Sequence, residues 1–393
     1  MIYTNYTQGD IMKKILCFLG VVVFAFGILL LPHKGVVYAN MDTDINHKSH
    51  ILIERKTGKV LAESASHDRL PIASVTKLMT ILLTLERIDA GELSVDDTIM
   101  VSANASGMGG SQIFLDANAE YKIGELLKSV IVASANDSSV ALAEHIAGSE
   151  NNFVREMNVR ARDLGLVDTN YSNCTGLPSV DAYSSAHDQA IVLNKVLDYD
   201  LYHEYSSIWM ENFQHPSGRT TQMTNTNKLS RFYPGCIGGK TGSTSIAKYC
   251  LAVGAERDGM SYIAVVLGVD NSKSRFKLAS DLLDYGFDNF ETKMLFSNSN
   301  LSNYTIAVKG MDRHAKLKAE REYSIVVGRG EQVNYSLNYN LPTSLKSVDE
   351  NDVVGNVEIV VDGIVVDTIN ILSCDTHKPA TIWDYFKEIT EIA

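Results

Sequence analysis

The chain has no excess of basic residues. Among 393 residues, 35 lysines and arginines face 47 aspartates and glutamates, a formal net charge of −12. Nothing in it offers the basic stripe that a phosphate backbone requires, which excludes nucleic acid as a partner. Cysteine is scarce: there are five, and Cys17 sits in an N-terminal apolar run with no lipid-attachment pattern around it. The other four, Cys174, Cys236, Cys250 and Cys374, allow three pairings or none. Cys236 and Cys250 flank an expected hairpin and could meet across it, with free thiols the plainer state. The ten histidines show no ligand spacing, so no metal site and no cofactor is expected. What is present is a globular composition, 45% hydrophobic and 21% charged. A chain of this length exceeds one ordinary core, so two domains are expected.

Residues 1–39 read as a cleaved signal peptide. Lys13 and Lys14 precede an almost unbroken apolar run from Ile15 to Leu31, and Val37-Tyr38-Ala39 puts small residues where a signal peptidase cuts. The alternative is an uncleaved anchor, for which about 17 residues is the short end of a bilayer span. Export places the chain outside the cytoplasm, at the wall or the outer face of the cytoplasmic membrane.

Residues 50–62 suggest two short strands around a Lys-Thr-Gly turn. From Pro71 the period becomes helical, with Val75, Leu78, Met79, Leu82 and Leu85 at three- and four-residue steps. Further helices are expected near 123–131, 138–145, 152–164, 186–198 and 275–285, and strands near 248–256 and 261–269. Strands at both ends with helices between imply one sheet closed by both termini of a domain spanning 40–290. After residue 290 the texture changes to short alternating segments broken by Gly, Asn and Asp. That pattern predicts a small β-sandwich over 291–375. The last segment, 376–393, sets Ile382, Tyr385, Phe386 and Ile389 on one helical face. Its two readings are docking onto the sandwich and peripheral membrane contact, the latter opposed by Asp384, Glu388 and Glu391.

Three short motifs carry chemistry, and the chain supplies its own controls. Ser-x-x-Lys occurs at Ser74–Lys77, Ser245–Lys248 and Ser274–Lys277; Lys-Thr-Gly occurs at Lys240 and Lys56. Ser-x-Asn occurs at Ser134–Asn136 and also from Ser102, Ser149 and Ser336. Order and context discriminate among them. Ser74 opens an apolar helix, where backbone N–H groups favour negative charge, and Lys77 lies one turn on along the same face. The other two Ser-x-x-Lys pairs are expected to lack a long apolar helix of this kind. Ser134-Ala-Asn136 interrupts two helical stretches. Lys240-Thr241-Gly242 follows a glycine-rich stretch and is expected to precede a strand, whereas the Lys56 copy fits a hairpin turn.

Together these motifs resemble the penicillin-binding-protein and β-lactamase superfamily. The stretches PIASVTKLMT (71–80), GGSQIFL (109–115), SANDSSVALAEHIAGS (134–149), NCTGLP (173–178), GGKTGST (238–244) and LLDYGFDNF (282–290) resemble the low-molecular-weight D-alanyl-D-alanine carboxypeptidases. The resemblance implies an α/β (α+β) transpeptidase-like catalytic domain followed by an all-β domain. It implies Ser74 as nucleophile, Lys77 as its base and Ser134 as proton relay. Asn136 would hold the substrate amide, and Lys240, Thr241, Gly242, Ser243 and Arg275 would bind substrate, with the N–H groups of Ser74 and Ser243 as oxyanion hole. The partners implied are a peptidoglycan stem peptide ending in D-Ala-D-Ala and, as covalent inhibitors, β-lactams. Two departures stand out: Lys248 replaces a common glycine, and Ser243 a bulkier residue. Class A β-lactamases use a glutamate downstream of Ser-x-Asn, and none occurs from Met157 through His203. A transpeptidase and a non-catalytic β-lactam sensor or wall-binding protein are the remaining alternatives.

Overall fold

The computed structural model describes residues 43–309, 313–379 and 381–382. The signal-peptide reading of 1–39 and the C-terminal segment from 383 onward lie outside the described residues.

Strands β1 (Ser49–Glu54) and β2 (Val60–Ser64) form a hairpin whose turn holds the Lys56-Thr57-Gly58 copy, Gly58 having φ +70°. β3 (Cys236–Thr244), β4 (Lys248–Arg257) and β5 (Met260–Val269) complete an antiparallel sheet of order β2-β1-β5-β4-β3. Both ends of the domain therefore meet in one sheet. The central strands are buried on both faces, so adjacent residues enter opposite cores: Ile51 and Ile53 face one cluster, Leu52 the other.

On the first face lie α1 (Lys77–Asp89), α2 (Ile123–Val132), α3 (Asn136–Ala147) and α4 (Ala186–Val196). Every residue of α1 from Lys77 to Leu85 is buried, as for a helix at the centre of a domain. The second face is covered by α5 (Ser272–Asn289), through Leu278, Ala279, Leu282 and Leu283.

Two sequence expectations need correcting. The Ser274–Lys277 copy does open a long helix with an apolar face, α5, so a helix alone does not single out Ser74. The Lys240-Thr241-Gly242 motif lies within strand β3 rather than before a strand. Its glycines imitate a loop in sequence but serve close packing. A Cβ on Gly239 would stand 2.5 Å from the Ala252 carbonyl oxygen, and one on Gly242 2.5 Å from that of Ile72. Cys236 sits opposite Ala255 and Cys250 opposite Gly242, so these two cysteines do not meet; all four described cysteines are free.

The C-terminal region begins its own pairing at once, Phe290–Phe296 lying against Tyr323–Gly328. A six-stranded sheet follows, and Phe296, Val357, Ile359, Ile369 and Ile371 pack in the shared core. Lys59 reaches across from the first hairpin to donate to the Val326 carbonyl at 3.0 Å.

Two backbone positions yield predictions. Gly176 has φ +78°, and a Cβ there would lie 2.0 Å from the Ala73 carbonyl oxygen. Gly176→Ala is expected to displace the residue before Ser74 and so to slow covalent labelling by a β-lactam, the inhibitor class that the resemblance implies, about a hundredfold or more, read by gel fluorography. Lys248 holds φ +57° in the β3–β4 turn, a conformation that suits a glycine better than a residue with a Cβ. Lys248→Gly is expected to stabilise the fold by about 0.5–1 kcal/mol, seen as a raised melting temperature; a lowered one would contradict the strain argument.

Candidate active site

Ser74 belongs to a 3-10 turn, Ala73–Thr76, that leads into α1, whose first residue is Lys77. Ala73 before it holds φ +50°, a conformation that L residues adopt only under constraint. The three-residue spacing puts the Lys77 amine over the serine, and Lys77 Nζ donates to Ser74 Oγ at 3.0 Å. The amine is further fixed by the Thr175 carbonyl, at 2.6 Å. Thr175 stands on a loop closed by the Asn170–Tyr183 and Leu70–Ser184 bridges.

Ser134 lies in the break between α2 and α3, with φ +62°. That strained backbone turns its hydroxyl toward β3, where Lys240 Nζ donates to Ser134 Oγ at 2.7 Å. Asn136 N donates to the Ser111 carbonyl at 2.7 Å, and Asn136 Nδ2 to the Gly109 carbonyl at 2.7 Å. Its Oδ1 is buried without a protein partner. Arg275, on α5, donates through Nη1 to the carbonyls of Gly242 (3.0 Å) and Cys250 (3.1 Å), while its Nε has no partner.

Ser74, Ser134, Thr241, Gly242, Ser243 and Arg275 thus line one open cleft of about 320 Å³. Lys77 and Lys240 lie buried behind its hydroxyls, and Asn136 is buried against the 109–111 backbone. Six cleft residues were not picked out from sequence: Ser111, Thr226, Lys228, Tyr249, Ser272 and Phe276. Their only sequence signal is neighbourhood, Ser111 falling inside GGSQIFL. Thr175 was also missed as a residue, because a carbonyl contact leaves no side-chain signature.

The electrostatics follow from burial. Lys77 is fully enclosed, and desolvation pulls its amine from 10.5 down to about 7, against the small opposing pull of Cys174 and Asp137. Burial dominates at Lys77, and the repulsion between the two amines falls on Lys240, held well below the lysine range by burial, then by Lys77 and Arg275. Burial likewise lowers Arg275 to about 10, still protonated near neutrality. No lining residue of the cleft is acidic. The adjacent carboxylate, Asp137, is raised by burial and committed to the backbone N–H groups of Ile113, Leu115 and Ser138.

The control motifs lack this environment. Lys277 is exposed and paired with Asp281 at 2.7 Å, and Ser245–Lys248 falls in the β3–β4 turn. A buried, hydroxyl-bonded, uncompensated lysine distinguishes the Ser74 copy. Such a site can take a proton from a serine, hold a developing oxyanion and receive a carboxylate.

Comparison with known proteins agrees. Residues 36–271 match the family model for D-alanyl-D-alanine carboxypeptidase, and residues 290–378 that for the C-terminal domain of penicillin-binding protein 5. D-alanyl-D-alanine carboxypeptidase DacF of Bacillus subtilis is 39% identical over 314 residues, covering 78% of this chain and 81% of that protein. DacA of Haemophilus influenzae is 31% identical over 355 residues, 87% and 88% of the two chains. The crystal structure of penicillin binding protein 5 from Haemophilus influenzae superposes with a TM-score of 0.72 at 29% identity, covering 86% of this chain and 99% of that one. With its motifs in one cleft and both domains matched, the chain belongs to the D-alanyl-D-alanine carboxypeptidase family, the low-molecular-weight penicillin-binding proteins.

Proposed function

We propose that the protein is a serine D-Ala-D-Ala carboxypeptidase that removes the terminal D-alanine from peptidoglycan stem peptides through an acyl-enzyme on Ser74. The observation that carries this reading is the 3.0 Å hydrogen bond to Ser74 from a lysine whose burial brings it to about 7. Lys77, when neutral, takes the Ser74 proton as Oγ attacks the carbonyl between the two D-alanines. The tetrahedral oxyanion lies at the N–H groups of Ser74 and Ser243. The C–N bond then breaks, and the proton passes by way of Ser134 to the amine of the leaving D-alanine. Water attacks the ester, giving the shortened peptide and free Ser74. Lys240, Thr241 and Arg275 receive the substrate's terminal carboxylate, and Asn136 holds the amide on its amino side.

Penicillin enters the same sequence but keeps its leaving group tethered. With no acidic residue lining the cleft, the acyl-enzyme lacks a carboxylate base and is released slowly. This favours carboxypeptidase over β-lactamase. Export by residues 1–39 would put the enzyme at the outer face of the cytoplasmic membrane, where its substrate is. The apolar positions of 376–393 would support peripheral contact there.

Purified protein is expected to release D-alanine from an acylated tripeptide ending in D-Ala-D-Ala, and Ser74→Ala to lower the rate by more than about a thousandfold. Release unchanged in Ser74→Ala would sink the mechanism. Intact penicillin labelling without any release would favour a sensor. The pH dependence has a defined sign. Lys77 must be neutral to act, so the acylation rate should rise with pH through about 7 and level off above it. A stopped-flow pH profile flat between 5.5 and 8.5 would contradict Lys77 as the base.

A further inference from the structure

The loop over residues 173–177 carries the Thr175 carbonyl that meets the Lys77 amine at 2.6 Å. One side chain sets its shape from within. Asn173 Oδ1 accepts from the backbone N–H of Thr175 at 3.1 Å and of Gly176 at 2.6 Å, and from Thr175 Oγ1 at 3.0 Å. Asn173 Nδ2 donates to the Leu177 carbonyl at 2.9 Å. None of these bonds leaves the loop. Other groups fasten it to the domain: Cys174 N donates to Glu150 Oε1 at 3.1 Å, and Thr80 Oγ1 donates to the Cys174 carbonyl at 2.7 Å. The bond from Gly176 N–H is the informative one, because that N–H and the Thr175 carbonyl belong to a single peptide unit. A trans peptide is planar, and its N–H and C=O point opposite ways. Holding the N–H on Asn173 therefore aims the carbonyl in the other direction, where Lys77 Nζ stands 3.0 Å from Ser74 Oγ. Gly176, now at φ +78°, would equally admit the negative φ that a flipped peptide needs, so the backbone alone does not fix this orientation.

We propose that Asn173 is a positioning residue for the reaction: it locks the 175–176 peptide so that the Thr175 carbonyl holds the Lys77 amine on Ser74. The inference deepens the reading above and rests on Lys77 as the base. An amine with one N–H committed to a fixed carbonyl loses most of its freedom to rotate about the Cε–Nζ bond, and proton transfer depends on that orientation. The carbonyl also favours the ammonium form, in opposition to burial. The titratable groups that bear on Lys77 come from three elements: Cys174 from the loop, Asp137 from α3 and Lys240 from β3. A substitution at residue 173 leaves all three in the chain and acts on the carbonyl alone.

The test follows acylation of the full chain by benzylpenicillin in a stopped-flow instrument, separating the saturating rate constant from the dissociation constant of the noncovalent complex across the pH profile. Asn173→Ala is expected to lower the saturating rate constant about tenfold or more and to change the dissociation constant by less than about twofold. Since the ammonium loses a hydrogen-bond acceptor, the midpoint of the profile should fall about one pH unit below that of the wild type. Asn173→Asp keeps the acceptor oxygen, loses only the bond to Leu177 and adds negative charge. It should return the rate constant to within about threefold of the wild type and move the midpoint up instead of down. Thermal melting of both variants separates these effects from folding: a merely structural contact would lower the melting temperatures and move neither midpoint. An unchanged rate constant in Asn173→Ala, or equal slowing in Asn173→Asp, overturns the proposal. So does a raised midpoint in Asn173→Ala, which would mean that Asn173 keeps water from the amine rather than aiming the carbonyl. Acylation of Ser74→Ala at the wild-type rate is the separate result that would overturn the mechanism underneath.

Discussion

Two lysines share one cleft with hydroxyls and carbonyls as their partners, and the desolvation of these amines is the constraint on which the rest of the structure depends. Lys77 and Lys240 are both essentially without solvent access. A buried ammonium that lacks a carboxylate is costly, so the neutral form gains, and a neutral amine held against a serine hydroxyl is a base. An acidic partner at hydrogen-bond distance would restore the charge and abolish that property. The nearby carboxylate of Asp137 is accordingly occupied by backbone N–H groups.

Keeping those amines dry requires three separate pieces of chain to close on Ser74. The α2–α3 break brings Ser134, the loop around Gly176 brings the Thr175 carbonyl, and β3 brings Lys240. Two of these approaches, by the loop and by β3, are tighter than a side chain allows. Gly176 meets the Ala73 carbonyl and Gly242 that of Ile72, while Ala73 and Ser134 themselves accept left-handed backbone. Strain of order 1–3 kcal/mol per residue is tolerated because a large two-faced core surrounds it. The same arrangement leaves β3 at the sheet edge, where the proposed reading lays the substrate peptide.

Much of this was legible in the sequence. The helices had correct periods, the sheet closed as its end strands implied, and the three motifs, in order, lie on one cleft. The errors are informative. Lys240-Thr241-Gly242 was expected to precede a strand and lies within one, because from sequence a glycine demanded by close packing looks the same as one demanded by a turn. The helix after Ser274 was discounted as a control although it has an apolar face. Lys277 and Lys77 differ in burial and partners, not in local pattern.

The sequence by itself determined which residues could do the chemistry: a serine and lysine one helical turn apart, their ordered partners, and the lack of a glutamate over 157–203. Those are matters of residue identity and of the 3.6-residue period, which are local. Only the tertiary structure decided that Lys77 has the lowered proton affinity a base would need, because that affinity comes from the atoms that exclude water around it. These belong to segments as distant in the chain as Thr175, 98 residues away. Nor could the chain's linear order show that burial, more than the neighbouring Lys240, sets that affinity. Desolvation is a property of the enclosure, which exists only once the fold has closed.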